Sequence, residues 1–154
     1  MCFVKRFACQ MIVATISFFS LQAVYADDKN GCADFVVQVL NRTDSECLFQ
    51  SFKMSSGYLL NVTPNVTVIP PHSTQIFLTQ QNLVQGPTLV LNYLCGGQKI
   101  SIGSHQNLCF LEPGNIQGSV VSSDNGIQAI YTKHDGSRYW SYPGHIYWAL
   151  ENRH

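Results

Sequence analysis

Past Ala26 the chain is a succession of short runs that alternate apolar with polar residues or are rich in β-branched ones. Gly, Pro, Asn and Asp turns cut these runs, and no window sustains apolar residues at i, i+3, i+4 and i+7. A helix buries one face through that spacing, so a chain without it must build its core from sheets. The runs are 35–40, ended by Asn41-Arg42-Thr43-Asp44, then 47–53, then 58–63 after Ser55-Ser56-Gly57. Residues 66–69 and 74–79 follow, separated by Pro70-Pro71-His72-Ser73, and 145–150 is the last. Residues 80–85 are the one place where the pattern predicts a helical turn.

The second half has a more definite register. Gly96-Gly97 predicts a two-residue hairpin between 89–95 and 98–103, with Tyr93 opposite Ile100 and Leu91 opposite Ile102. All four then share a face with Leu89, while Asn92, Lys99 and Ser101 take the other; a slip of one residue would scramble both faces. Asn125-Gly126 and Asp135-Gly136 carry the residues of type I′ turns, which predicts a three-stranded meander over 118–142. In it Val120, Ala129, Tyr131, Trp140 and Tyr142 share one face, with Tyr131 paired to Trp140. About ten short strands suggest one all-β domain, an antiparallel β-sandwich over 27–154.

Residues 1–26 read as a secretory signal peptide. Lys5 and Arg6 precede an apolar run from Phe7 to Leu21, and Val24-Tyr25-Ala26 fits a cleavage site. Its removal takes away Cys2 and Cys9 and leaves Cys32, Cys47, Cys95 and Cys109. An even number in an exported chain favours two disulfides. The sequence does not choose among the three pairings; closeness along the chain favours Cys32–Cys47 and Cys95–Cys109. No C-x-x-C occurs and no His stands at ligand spacing from a Cys, so neither metal nor cofactor is expected.

Charge excludes one class of function. Nine basic residues balance nine acidic ones, and only 12% of the chain is charged, with no basic block to hold a phosphate backbone. Nucleic acid is therefore not an expected partner. No G-x-S-x-G, H-E-x-x-H, Walker or dinucleotide motif occurs, and His72, His105, His134, His145 and His154 are isolated from one another along the chain. A Ser/His/Asp site assembled in space stays open at this level. Asn41, Asn61 and Asn65 each begin an N-x-T sequon, a glycosylation candidate in a eukaryotic secretory pathway.

The strongest functional signal is aromatic. Tyr139, Trp140, Tyr142, Tyr147 and Trp148 lie within ten residues, joined by Tyr131 through the predicted pairing. Half of them must face a core, and the outward half would form a platform. Tyr and Trp suit a membrane interface, a sugar ring or a quaternary ammonium group. All six are candidate ligand contacts.

The order of several short motifs resembles the aegerolysins, a family with the actinoporin-like sandwich. These are Val37-Gln38-Val39-Leu40-Asn41-Arg42-Thr43, Ser55-Ser56-Gly57, Ile69-Pro70-Pro71, the run from Gly86 to Tyr93, and Cys109 ahead of Pro113-Gly114-Asn115. After Cys109 this chain has Phe110-Leu111-Glu112 where the family carries a Trp-rich segment. The resemblance implies lipid or membrane recognition, sometimes pore formation with a partner. Gly136-Ser137-Arg138-Tyr139 and Tyr147-Trp148-Ala149-Leu150 are similar to C-type lysozyme inhibitors of bacterial envelopes. The resulting expectation is a secreted, non-enzymatic protein that binds a membrane lipid or another extracellular surface ligand. The alternative is a secreted inhibitor or host-interaction effector with a protein partner.

Overall fold

The computed structural model describes residues 31–62, 67–110, 114–138 and 142–153. The expected leader, Asn65, Tyr139 and Trp140 lie outside them. A 3-10 turn, Gly31–Ala33, leads into ten strands: β1 Asp34–Asn41, β2 Cys47–Ser56, β3 Tyr58–Val62, β4 Val68–Ile69, β5 Thr74–Gln80, β6 Thr88–Cys95, β7 Gln98–Gln106, β8 Ile116–Ser123, β9 Ile127–His134 and β10 Gly144–Asn152. They form two five-stranded sheets, ordered β3-β5-β1-β10-β9 and β4-β2-β6-β7-β8. The expected β-sandwich is thus present, with one departure from antiparallel pairing: β1 and β10 run parallel.

Period-two alternation places the core. Phe35, Val37 and Val39 of β1 face Leu89, Leu91 and Tyr93 of β6, with Ile100 and Ile102 of β7 and Ile146, Trp148 and Leu150 of β10 completing a buried cluster. The β6–β7 hairpin has the expected register, Tyr93 opposite Ile100 and Leu91 opposite Ile102. Gly96 and Gly97 both adopt positive φ, 55° and 83°, as a type I′ turn requires.

The expected meander does not form. β8 belongs to one sheet and β9 to the other, so Asp124-Asn125-Gly126 arches between layers. Among the described residues positive φ occurs only at Gly57, His72, Gly96 and Gly97, so Asn125-Gly126 and Asp135-Gly136 are not type I′ turns. Tyr131 lies opposite Trp148, not Trp140. Residues 81–87 form no helical turn either. The Asn82 side-chain oxygen accepts the Val84 and Gln85 N–H groups at 2.9 and 2.7 Å, which satisfies the backbone locally without a helix.

The disulfides pair Cys47 with Cys95 and Cys32 with Cys109, correcting the expectation from chain proximity. At about 3.3 Å per residue, β1 carries the chain roughly 25 Å between Cys32 and Cys47, and β7 does the same between Cys95 and Cys109. Residues close in sequence therefore end up at opposite ends of the sandwich. Cys47 instead sits directly across from Cys95 in the β2–β6 register, and Cys32 meets Cys109 where the two sheets approach.

Asn41 is a structural residue. It is fully buried, its amide donates to the carbonyls of Ser45 (2.8 Å) and Ile69 (2.9 Å), and its oxygen accepts from the Thr43 N–H and hydroxyl. The sequon there is a turn-locking network with no room for a glycan, in contrast to its expected surface position. Asn61 lies on β3.

Candidate functional site

Strand connections give the sandwich two unlike ends. At one end Asp34, Gln80 and Tyr58 stand in register across one sheet, and Ser56, Thr88 and His105 across the other. From this end leave Gly57 and the connections 81–87, 107–115 and 135–143. The opposite end carries 42–46, 70–73, Gly96-Gly97 and 124–126.

The first end displays apolar side chains. Leu83 is 98% exposed and Val84 75%, Tyr58 and Phe110 are about 60% exposed, and Tyr142 is partly exposed. Their loops are clamped at the base. Gln81 exchanges two hydrogen bonds with the backbone of Cys109, whose sulfur is bonded to Cys32. Arg138 donates to the Phe110 carbonyl, and its guanidinium lies 5.3 Å from the centre of the Phe110 ring. The second end presents the exposed charges of Arg42, Asp44, Glu46 and Asp124 together with Glu151, which pairs with Arg42 at 3.1 Å.

The aromatic candidates divide by strand parity. Trp148 is 1% exposed, and its indole N–H donates to Ser104 Oγ at 2.9 Å, so it is a core residue and not a surface contact. Tyr131, across the ladder on the same inner face, packs on Trp148 with ring centres 4.9 Å apart and shows its edge beside β8. Close packing of both rings leaves no space at Gly118, where a Cβ would lie 2.8 Å from Trp148 and 2.9 Å from Tyr131. Tyr147 points outward and stacks against His145, and Tyr142 meets His134 edge-on. The four described candidates therefore do not make one platform.

Tyr147 borders a shallow groove of about 290 Å³ on the outer face, with Gln38, Leu40, Arg42, Ile130, Thr132 and Ala149. In register, Gln38, Tyr147 and Thr132 form one row and Leu40, Ala149 and Ile130 the next; the small Ala149 makes the floor. The groove shares Leu40 and Arg42 with a more polar recess lined by Asp44, His72, Gln128, Glu151 and Asn152.

One histidine meets an aliphatic hydroxyl. Thr88 Oγ1 lies 2.8 Å from His105 Nδ1, His105 Nε2 lies 2.9 Å from Asn107 Oδ1, and Ser56 Oγ lies 3.0 Å from Thr88 Oγ1. This row crosses the outer face of β2, β6 and β7. Thr88 and His105 sit on interior strands whose backbone N–H groups serve the ladder. Among the described residues the row therefore lacks the converging backbone donors that stabilise an oxyanion, and the geometry is that of a cross-strand polar ladder.

Sequence comparison and structure comparison differ sharply. No protein-family model matches the chain, and no curated protein matches it. The fold itself recurs in solved structures, which places the chain in a known β-sandwich architecture. The lipid-binding protein Nakanori superimposes with a TM-score of 0.62 at 10% identity, over 79% of this chain and 72% of that one. IP-1A from Alcaligenes faecalis gives 0.57 at 7% identity, over 81% and 94%, and RahU, solved with a Tris molecule, gives 0.58 at 12%, over 79% and 96%.

Sequence reasoning missed Leu83, Val84, Phe110 and Tyr58 as candidates. A signal for the first two was present: an apolar pair held between the turn-forming Asn82 and Gly86-Pro87 has no strand face into which it can bury.

Proposed function

We propose that this is a non-enzymatic, exported protein that binds lipid surfaces by seating its apolar loop end in the membrane interface. The observation that carries this reading is the concentration of Leu83, Val84, Phe110 and Tyr58 at one end of the sandwich, opposite the end that presents Arg42, Asp44, Glu46 and Asp124. Isolated exposed apolar side chains are ordinary, but several on clamped loops at one pole mark an interaction site. Nakanori's description as a lipid-binding protein and the aegerolysin resemblance support the same reading. Tyr139 and Trp140, within the β9–β10 connection, are further expected contacts, since Tyr and Trp favour the headgroup layer. Two disulfides accord with an oxidising compartment.

Near-neutral charge implies that apolar contact drives the association, with little dependence on anionic lipid or salt. Co-sedimentation with vesicles of phosphatidylcholine, phosphatidylethanolamine, sphingomyelin or phosphatidylserine, each with and without cholesterol, tests this. Binding to at least one neutral composition, retained at high salt, is the expected result. Binding to none of them, or only to the phosphatidylserine vesicles at low salt, contradicts it.

A further inference from the structure

We propose that His134 and His145 form a two-histidine site for a divalent transition metal on the outer face of the β3-β5-β1-β10-β9 sheet. The two residues are directly opposed in the antiparallel β9–β10 register. Opposed residues point to the same face with Cβ atoms about 4.5–5.5 Å apart. Two imidazoles starting so close can both reach one ion with metal–nitrogen bonds of about 2.0–2.1 Å.

The surroundings of the rings suit ligation. His145 is half-buried and stacks on Tyr147, centres 5.7 Å apart and planes 16° from parallel. The Tyr147 hydroxyl lies 3.3 Å from His145 Nδ1. With the proton on Nδ1 and the phenol oxygen accepting it, the Nε2 lone pair is left for the metal, which is the usual outer-shell arrangement around a ligating histidine. His134 is exposed on the edge strand and rests edge-on against Tyr142 at 5.8 Å. Neither of its ring nitrogens hydrogen-bonds to a described residue. Burial, and secondarily the neighbouring His134, lower the pKa of His145, which favours the neutral ligand form at neutral pH.

The described residues supply two protein ligands here. Asp135 adjoins His134 but is engaged by Lys133 at 3.1 Å and by the Ile116 N–H at 2.8 Å, and no third ligating side chain joins the pair among the described residues. Water would fill the remaining positions. Imidazole donors select Zn²⁺, Ni²⁺ or Cu²⁺ over Mg²⁺ and Ca²⁺, which prefer oxygen cages. Because the ion would tie the edge strand β9 to β10, it should bind the native state better than the unfolded one and raise the melting temperature.

The test uses untagged full-length protein, with calorimetric titration of Ni²⁺ and of Zn²⁺ and thermal unfolding with and without each ion. The expected result is saturable one-to-one binding with a rise in Tm, both lost in His134→Gln and in His145→Gln and both kept in His72→Gln and His105→Gln. Tyr147→Phe should weaken binding by about tenfold, through the lost acceptor. His134 is exposed, so its variant reports on the site even if His145→Gln folds poorly. No saturable binding by the unaltered protein, or binding that survives His134→Gln, overturns the proposal.

Discussion

The two ends of the sandwich face opposite demands. At the charged end the connections are short and internally satisfied: Asn41 holds the 42–46 turn to β4 through its buried hydrogen bonds, Cys47–Cys95 closes the strand mouth, and Gly96-Gly97 turns in two residues. At the apolar end three longer connections are tied to the frame and to one another by Cys32–Cys109, the Gln81–Cys109 hydrogen bonds, the reciprocal Gly114–Gly136 bonds and the Arg138–Phe110 contact. Leu83, Val84 and Phe110 on them are left to solvent. The difference teaches how one fold uses its side chains in two ways: the first end spends them on holding the sheets together, and the second displays apolar ones from a tethered frame, where the proposed recognition would occur.

Substitutions should separate these roles. Asn41→Ala at the charged end orphans buried backbone groups and should lower unfolding free energy in urea by about 3 kcal/mol. Leu83→Ser at the other end should leave that free energy unchanged within about 0.5 kcal/mol, because the side chain packs on nothing. A large stability loss at Leu83 would break the comparison.

A smaller contrast lies within the charged end. Gly97 has φ +83° with open space where a Cβ would go, so Gly97→Ala should destabilise by about 1–2 kcal/mol through its left-handed backbone alone. Gly126 lacks positive φ, and a Cβ there meets only the flexible end of Gln98, so Gly126→Ala should change stability by less than about 0.5 kcal/mol. Equal effects at the two turns would contradict the arch between layers.

The smallest effect concerns pH. His145 titrates below its ordinary value of 6.5, whereas the unfolded chain takes up the proton at that value. The stabilisation is therefore complete above 6.5 and is lost as pH falls through the folded-state value. The groups facing this imidazole are His134, which lowers its pKa further, and the neutral Tyr147. Denaturation midpoints should fall modestly from pH 7 to pH 5, and more shallowly in His145→Gln; identical profiles would remove this contribution.

Much of the sandwich was readable because burial writes itself into period two. The β6–β7 register follows from Leu89, Leu91, Tyr93, Ile100 and Ile102 sharing one face. What alternation cannot encode is which layer a strand joins after a turn. Asn125-Gly126 marks a reversal whether the chain folds back as a hairpin or arches across, so β9 was misplaced and with it the partner of Tyr131. The same limit hid the opposition of His134 and His145. Cysteine pairing failed for a related reason, since proximity along a strand is distance in space. For the site, parity alone puts Tyr147 and Trp148 on opposite faces, but only the layer assignment says that Trp148 is the buried one.

The most direct measurement is vesicle partitioning of a double substitution, Leu83→Asp with Val84→Asp, beside the unaltered protein on the same neutral vesicles. Burying two such side chains contributes about 3 kcal/mol even when incomplete. Partitioning should therefore fall by about 100-fold while urea unfolding stays the same. Undiminished partitioning by the doubly charged loop would contradict docking through this end of the sandwich.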